Sequence, residues 1–163
     1  MKLSYFEQFN TKGEDGLAGA CFELALHDFL GDKLEVSGVG KTDIRLNIGG
    51  KLRKVEVKTG AGRIQADCKG NSYVVFCPVV NLDEELDRQE AFIIKRTVFI
   101  QALKDAGLYR GSKESTSGPA TEAIQTFWNR KLNKPHGKKL YILLDLLYER
   151  AYMTLDDYMS ENK

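Results

Sequence analysis

Over residues 43–48 and again over 52–59 apolar and polar side chains largely alternate with a period of two, the two runs separated by Gly49 and Gly50. Alternation of this kind marks a half-buried strand, and a Gly-Gly pair tolerates the positive φ angles of a two-residue turn. The stretch therefore predicts a β-hairpin with strands over 43–48 and 52–59. With the glycines as the loop, Ile48 faces Lys51, Ile44 faces Val55 and Asp43 faces Glu56. One face then carries Ile44, Leu46, Ile48, Val55 and Val57, which need a core. The other carries Lys41, Asp43, Arg45, Lys54, Glu56 and Lys58, which need water, a metal or a polyanion.

Elsewhere the pattern changes. Leu17, Ala18, Ala20, Cys21, Phe22, Leu24, Ala25, Leu26, Phe29 and Leu30 leave almost no polar face, which predicts a helix over 17–30 buried nearly all round, capped by Thr11 or Asp15. Residues 33–37 predict a short strand leading into the hairpin, and 63–72 is too short and glycine-bounded to predict a helix. The near-continuous apolar run over 72–80 predicts a central strand that ends near Pro78. An acidic loop or helical turn over 81–90, a strand over 91–95 and a capped amphipathic helix over 97–106, closed by Gly107, follow. Residues 109–121 read as a flexible Ser/Gly-rich loop, 122–132 as a short helix, and 140–159 as a long helix. On that last helix Leu140, Leu143, Leu144, Leu147, Ala151 and Leu155 form one stripe, which packs on the domain or on a second copy as a homodimer.

The chain has 163 residues, enough for one domain with a sizeable core. This gives a core over about 14–107 and a C-terminal helical extension over about 119–160. The formal net charge is only +1, so any nucleic-acid surface has to come from local clustering. The densest cluster is Arg130, Lys131, Lys134, Lys138 and Lys139, a solvated loop or a phosphate-contacting arm. Cys21, Cys68 and Cys77 form no CxxC pair; Cys21 and Cys77 lie in apolar surroundings and read as small core residues. With no leader-like N-terminus and no run of roughly 18 apolar residues, the expectation is a cytoplasmic protein without a membrane partner.

Candidate chemistry concentrates on the polar face of the hairpin. Asp43 and Glu56, directly opposed with Cβ atoms about 4.5–5.5 Å apart, repel unless a cation lies between them, and a divalent metal is the simplest such cation. Lys58, two residues on, points into the same space, where its ammonium can hold an attacking water or stabilise charge developing on a phosphate. Glu23 is the anomalous acid of the first helix, with His27 one turn later; a carboxylate in so apolar a helix either lines a narrow solvent stripe or points at a metal.

Asp43, followed by Glu56-Val57-Lys58 after a Gly-Gly hairpin, resembles the D…ExK signature of the PD-(D/E)xK nuclease superfamily. Thr42 stands where that family often has proline. The runs GACFELALHDFL, TDI and VEVKTG are similar to the restriction, Holliday-junction-resolvase and homing-endonuclease branches without choosing among them. The resemblance implies an α/β restriction-endonuclease-like αβββαβ core, a mixed central sheet flanked by helices, with the C-terminal helical extension appended. It also commonly places a helix after ExK, for which 97–106 is the candidate. It implies Mg²⁺, or Mn²⁺ in its place, held by Asp43, Glu56 and the backbone carbonyl of Val57 with help from Glu23. An all-oxygen site with few protein ligands suits Mg²⁺. The implied activity is hydrolysis of phosphodiester bonds in DNA, with Asp43, Glu56, Lys58 and Glu23 catalytic and Lys41, Arg45, Lys54, Gln65 and the basic cluster on the substrate side. The competing expectations are a non-catalytic nucleic-acid-binding module and a protein-interaction subunit that uses the Leu/Tyr helix.

Overall fold

A computed structural model of the chain describes residues 14–30, 44–59, 63–65, 73–78, 80–81, 83–107, 121–123, 128–129, 134–135 and 137–162. In chain order they form α1 (Glu14–Leu30), β1 (Ile44–Ile48), β2 (Lys51–Thr59), β3 (Arg63–Gln65), β4 (Tyr73–Cys77), β5 (Phe92–Lys95), α2 (Arg96–Asp105), β6 (Thr121–Ala123), β7 (Trp128–Asn129), β8 (Lys134–Pro135), α3 (Gly137–Arg150), β9 (Met153–Thr154) and α4 (Leu155–Glu161), with a 3₁₀ turn at Leu86–Arg88. The expected strand over 33–37 and loop over 109–121 lie outside the described residues, the latter up to Thr121, which opens β6.

The hairpin forms in the expected register, with Ile44 opposite Val55 and Ile48 opposite Lys51. Gly49 and Gly50 have φ of 62° and 77°. Two consecutive left-handed residues make the turn whose twist matches that of the flanking strands, and a side chain at either would be strained even though nothing crowds a Cβ there. Ile44, Leu46, Ile48 and Val55 are buried and Val57 packs against them, as the alternation requires.

A five-stranded mixed sheet grows from this hairpin in the order β1-β2-β4-β5-β9. β4 runs parallel to β2, and the other pairs are antiparallel. Since a parallel pair cannot be closed by a tight turn, the chain crosses over between residues 59 and 73. Two core clusters sandwich the sheet. Val75, Cys77 and Ile93 join the apolar face of the hairpin, covered by Phe22, Leu26 and Leu30 of α1 and by Leu155, Tyr158 and Met159 of α4. Val74, Phe76, Phe92 and Ile94 point the other way, against Phe99, Ala102 and Leu103 of α2 and Leu143 and Leu147 of α3. Cys21 and Cys77 are buried thiols, and burial pushes the Cys21 thiol pKa up.

Several expectations are corrected. From Cys21 onward α1 buries Cys21, Phe22, Leu26 and Leu30 but leaves Leu24, Ala25 and Phe29 half-buried and Asp28 exposed, so it is a one-sided helix. α2 starts straight out of β5, and its N-cap residue Lys95 makes no side-chain capping bond. Because it follows β5, α2 does not stand between the two parallel strands where the resembled family commonly has its helix. Within 122–132 the described residues are strand: β6 pairs with β3 and β7 with β8, so ladder bonds override the helical preference of Glu122 and Ala123.

The predicted helix over 140–159 breaks after Arg150. The Tyr152 N–H donates to the Ile93 carbonyl and the Leu155 N–H to the Ala91 carbonyl, both at 2.9 Å, which inserts β9 at the sheet edge. Thr154 then caps the next helix, its hydroxyl accepting from the Asp157 N–H at 3.2 Å. The expected leucine stripe is thereby divided: Leu143 and Leu147 enter one core, and Leu155 enters the other, across the sheet. The C-terminal segment is thus a structural part of both layers and not an appended extension.

Two tyrosines tie this segment to the hairpin. The Asn47 N–H donates to the Tyr158 hydroxyl at 3.1 Å and the Gly49 N–H to the Tyr152 hydroxyl at 3.2 Å, so the sheet curls until its last elements meet its first. Tyr152 also meets the Tyr73 ring edge-on, with centroids 6.3 Å apart. Leu147→Ala is expected to lower unfolding stability by about 2–5 kcal/mol, as for any leucine emptied from a packed core. Urea denaturation measures this, and a change near zero would return the segment to the status of an extension.

Candidate functional site

Strand β2 positions the candidate residues. Val55 and Val57 face the first core, which turns Glu56 and Lys58 to the opposite side, where their ladder partners on β4 are the buried Val74 and Phe76. The Lys58 ammonium lies 2.9 Å from Glu56 Oε1, and the two side chains retain 23% and 22% of their exposure. They sit where the second core meets solvent, neither desolvated nor fully hydrated. A pair at this depth contributes about 0–1 kcal/mol to the fold.

Further toward the turn the same face becomes open. Arg45 lies opposite Lys54, and Leu52 opposite Asn47, with Leu52 60% exposed. Asp43 and Lys41 lie outside the described residues, as do Arg130 and Lys131. Gln65 belongs to β3 in a separate two-stranded ladder. Lys134 lies in β8, and Lys138 and Lys139 open α3, so the basic cluster is not one continuous loop.

Glu23 is half-buried on α1, whose apolar residues cover the face of β2 opposite Glu56 and Lys58. Helix and ion pair are therefore on different sides of the sheet. No group of three His, Cys, Asp or Glu that could hold a metal occurs among the described residues. Glu56 is a suitable hard oxygen donor for Mg²⁺, and with Asp43 and a backbone carbonyl the donors would all be oxygen.

Two features escaped the sequence pattern. Arg53 shares the core-side face with Val55, its guanidinium lies 5.6 Å from the centre of the Tyr73 ring, and its Nε is buried without a hydrogen-bond partner among the described residues. The ladder register, against the apolar pattern, puts it there, opposite Leu46. Second, a cleft of about 670 Å³ is lined by Asp87, Glu90, Asp156, Asp157 and Tyr148 among others. Its acidity opposes the binding of a polyanion, in contrast to the outer face of the hairpin. Here Tyr148 donates to Glu90 at 2.8 Å.

His27, one turn beyond Glu23, has its pKa held below the ordinary 6.5 by burial, an effect partly offset by Asp28. Its neutral form is favoured in the folded state, so its contribution to stability is present above pH 6.5 and lost as pH falls through the lower folded value. Melting temperature should therefore fall more steeply below pH 6.5 in the native protein than in His27→Gln. Parallel curves would exclude His27 as the cause.

Comparison with protein-family models, with curated proteins and with solved structures finds no match to this chain.

Proposed function

We propose that the chain is a metal-dependent nuclease of the PD-(D/E)xK type that hydrolyses phosphodiester bonds in DNA. The observation that carries this reading is Glu56 and Lys58 side by side on the outer face of β2, with apolar residues on the reverse. Further support comes from the mixed sheet, in which the strand carrying both residues pairs parallel with β4 after a crossover.

In this reading Asp43, next in sequence to Ile44, is the carboxylate that the motif pairs with Glu56. Asp43, Glu56 and the Val57 carbonyl would hold Mg²⁺, which when bound would supply Lewis-acid chemistry at the phosphate. We assign no ligand role to Glu23, given its side of the sheet. The Lys58 ammonium orients the attacking water and later faces the charge that builds on the phosphoryl oxygens. Water oxygen forms the new P–O bond, the ester P–O bond breaks, and the proton lost by water balances the one gained by the departing oxygen. The Lys58 ammonium already lies 2.9 Å from the Glu56 carboxylate, so the pair holds it beside that space.

Cleavage of plasmid and linear DNA should require Mg²⁺ or Mn²⁺ and stop with excess chelator, while Ca²⁺ should bind without supporting turnover because its looser coordination orients water poorly. Glu56→Gln should abolish cleavage yet shift stability by no more than about 1 kcal/mol. Lys58→Ala should reduce turnover by about two to three orders of magnitude. Cleavage that persists in chelator, or that tracks only the amount of folded protein in both variants, would refute the assignment.

A further inference from the structure

The sheet has two edges, and the short segment around β9 serves both. It pairs with β5 through Thr154 opposite Phe92 and Met153 opposite Ile93, and the Tyr152 N–H donates to the Ile93 carbonyl. Among the described residues β1 forms the other edge. In a two-residue hairpin the pair flanking the turn exchanges hydrogen bonds, so Ile48 bonds inward to Lys51 and the N–H of its neighbour Asn47 points away from β2. That donor and the Gly49 N–H are the ones taken by the Tyr158 and Tyr152 hydroxyls, at 3.1 and 3.2 Å. Tyr152 thus closes one edge with its backbone and the other with its side chain.

The outward donors of an edge strand are the groups with which another chain pairs. A phenolic oxygen satisfies one of them without offering a ladder of its own, so the sheet ends where the tyrosines stand. Without them β1 has a ready partner in its own copy. Its residues alternate in burial, with Ile44, Leu46 and Ile48 buried and Arg45 and Asn47 more exposed. An identical strand running antiparallel about a two-fold axis repeats that alternation and continues both faces of the sheet. The two rings are held in the way: Tyr158 is buried in the first core, and Tyr152 packs edge-on against Tyr73.

We infer that Tyr152 and Tyr158 are edge guards, whose hydroxyls occupy the outward N–H groups of Gly49 and Asn47 and keep a second copy of the chain from adding its own β1 there. This role is independent of any catalytic activity. Hydrogen exchange and sedimentation test it. In Tyr152→Phe/Tyr158→Phe, which keeps both rings, the Asn47 and Gly49 amides should exchange about tenfold faster than in the native protein, the loss of one ordinary hydrogen bond at each. Tyr152→Ala/Tyr158→Leu withdraws the rings as well and should self-associate as its concentration rises, its average mass reaching about twice that of the native protein at the same concentration. In that associated form the Asn47 amide should be protected again, since the added strand pairs with it. Leu147→Ala loosens the second core and leaves the edge covered, so it should keep the native mass.

Native exchange rates in the first variant would overturn the guards. So would an unchanged mass in the second, association of Leu147→Ala to the same extent, or an associated form whose Asn47 amide still exchanges freely. Melting curves establish that each variant is folded. Should Tyr152→Ala/Tyr158→Leu not fold, Tyr152→Ala alone, at a position 45% exposed, is read by the same mass and exchange measurements.

Discussion

Val74, Val75, Phe76 and Cys77 of β4 and Phe92, Ile93 and Ile94 of β5 are all at 0% exposure, so the centre of the sheet is apolar on both faces and must be covered on both. Successive residues of a strand point to opposite sides, which divides these seven side chains between two cores. Each fully buried large side chain contributes about 1.5–3 kcal/mol relative to exposure, so neither face can be left bare in a domain of ordinary stability. The chain answers with a pair of helices on each side: α1 with α4, and α2 with α3. Placing α3 and α4 on opposite faces obliges the chain to pass the sheet edge between them, and β9 is that passage.

The hairpin escapes part of this double covering. Strand β2 begins four residues before its pairing with β4, which starts at Val55 opposite Tyr73. The first part of the hairpin is therefore packed on one face only, with the tyrosine bonds to Asn47 and Gly49 holding its backbone against the C-terminal segment. Along the outer face exposure consequently falls from Leu52 toward Glu56 and Lys58. This gradient follows from where two strands begin to pair.

Legibility in the sequence follows the range of the interactions involved. The hairpin register was readable because Gly49, Gly50 and a period of two are local signals, and it predicted the burial of Ile44, Leu46, Ile48 and Val55 one by one. β4, β5 and α2 were readable from apolar runs and from Gly107, whose φ of 72° closes α2. The break after Arg150 was not, because Ala151 and Tyr152 carry no helix-stopping chemistry and the decisive bonds run to Ile93 and Ala91, about 60 residues away. A local hint existed in Thr154-Leu155-Asp156-Asp157, a threonine before acids that makes a good helix start, but a continuous leucine pattern outweighed it. At the site, the shared face of Glu56 and Lys58 was readable from their spacing. The side of the sheet taken by Glu23 was not, since it depends on how a whole helix packs.

An ion pair inside one strand also differs in kind from the pairs that hold elements together. Arg150 donates to Asp105 at 2.6 Å and joins α3 to α2 over the second core. That bond lowers the Asp105 pKa and links two helices. Glu56 and Lys58 are two residues apart on β2, so their bond fixes no element against another. Strand geometry already brings same-face neighbours together, and the half-exposed position limits the electrostatic gain. This one bond therefore adds little to the fold. What the two side chains offer, a carboxylate oxygen and an ammonium 2.9 Å apart on one face of the strand, is the chemistry that the proposed action on a phosphate would draw on.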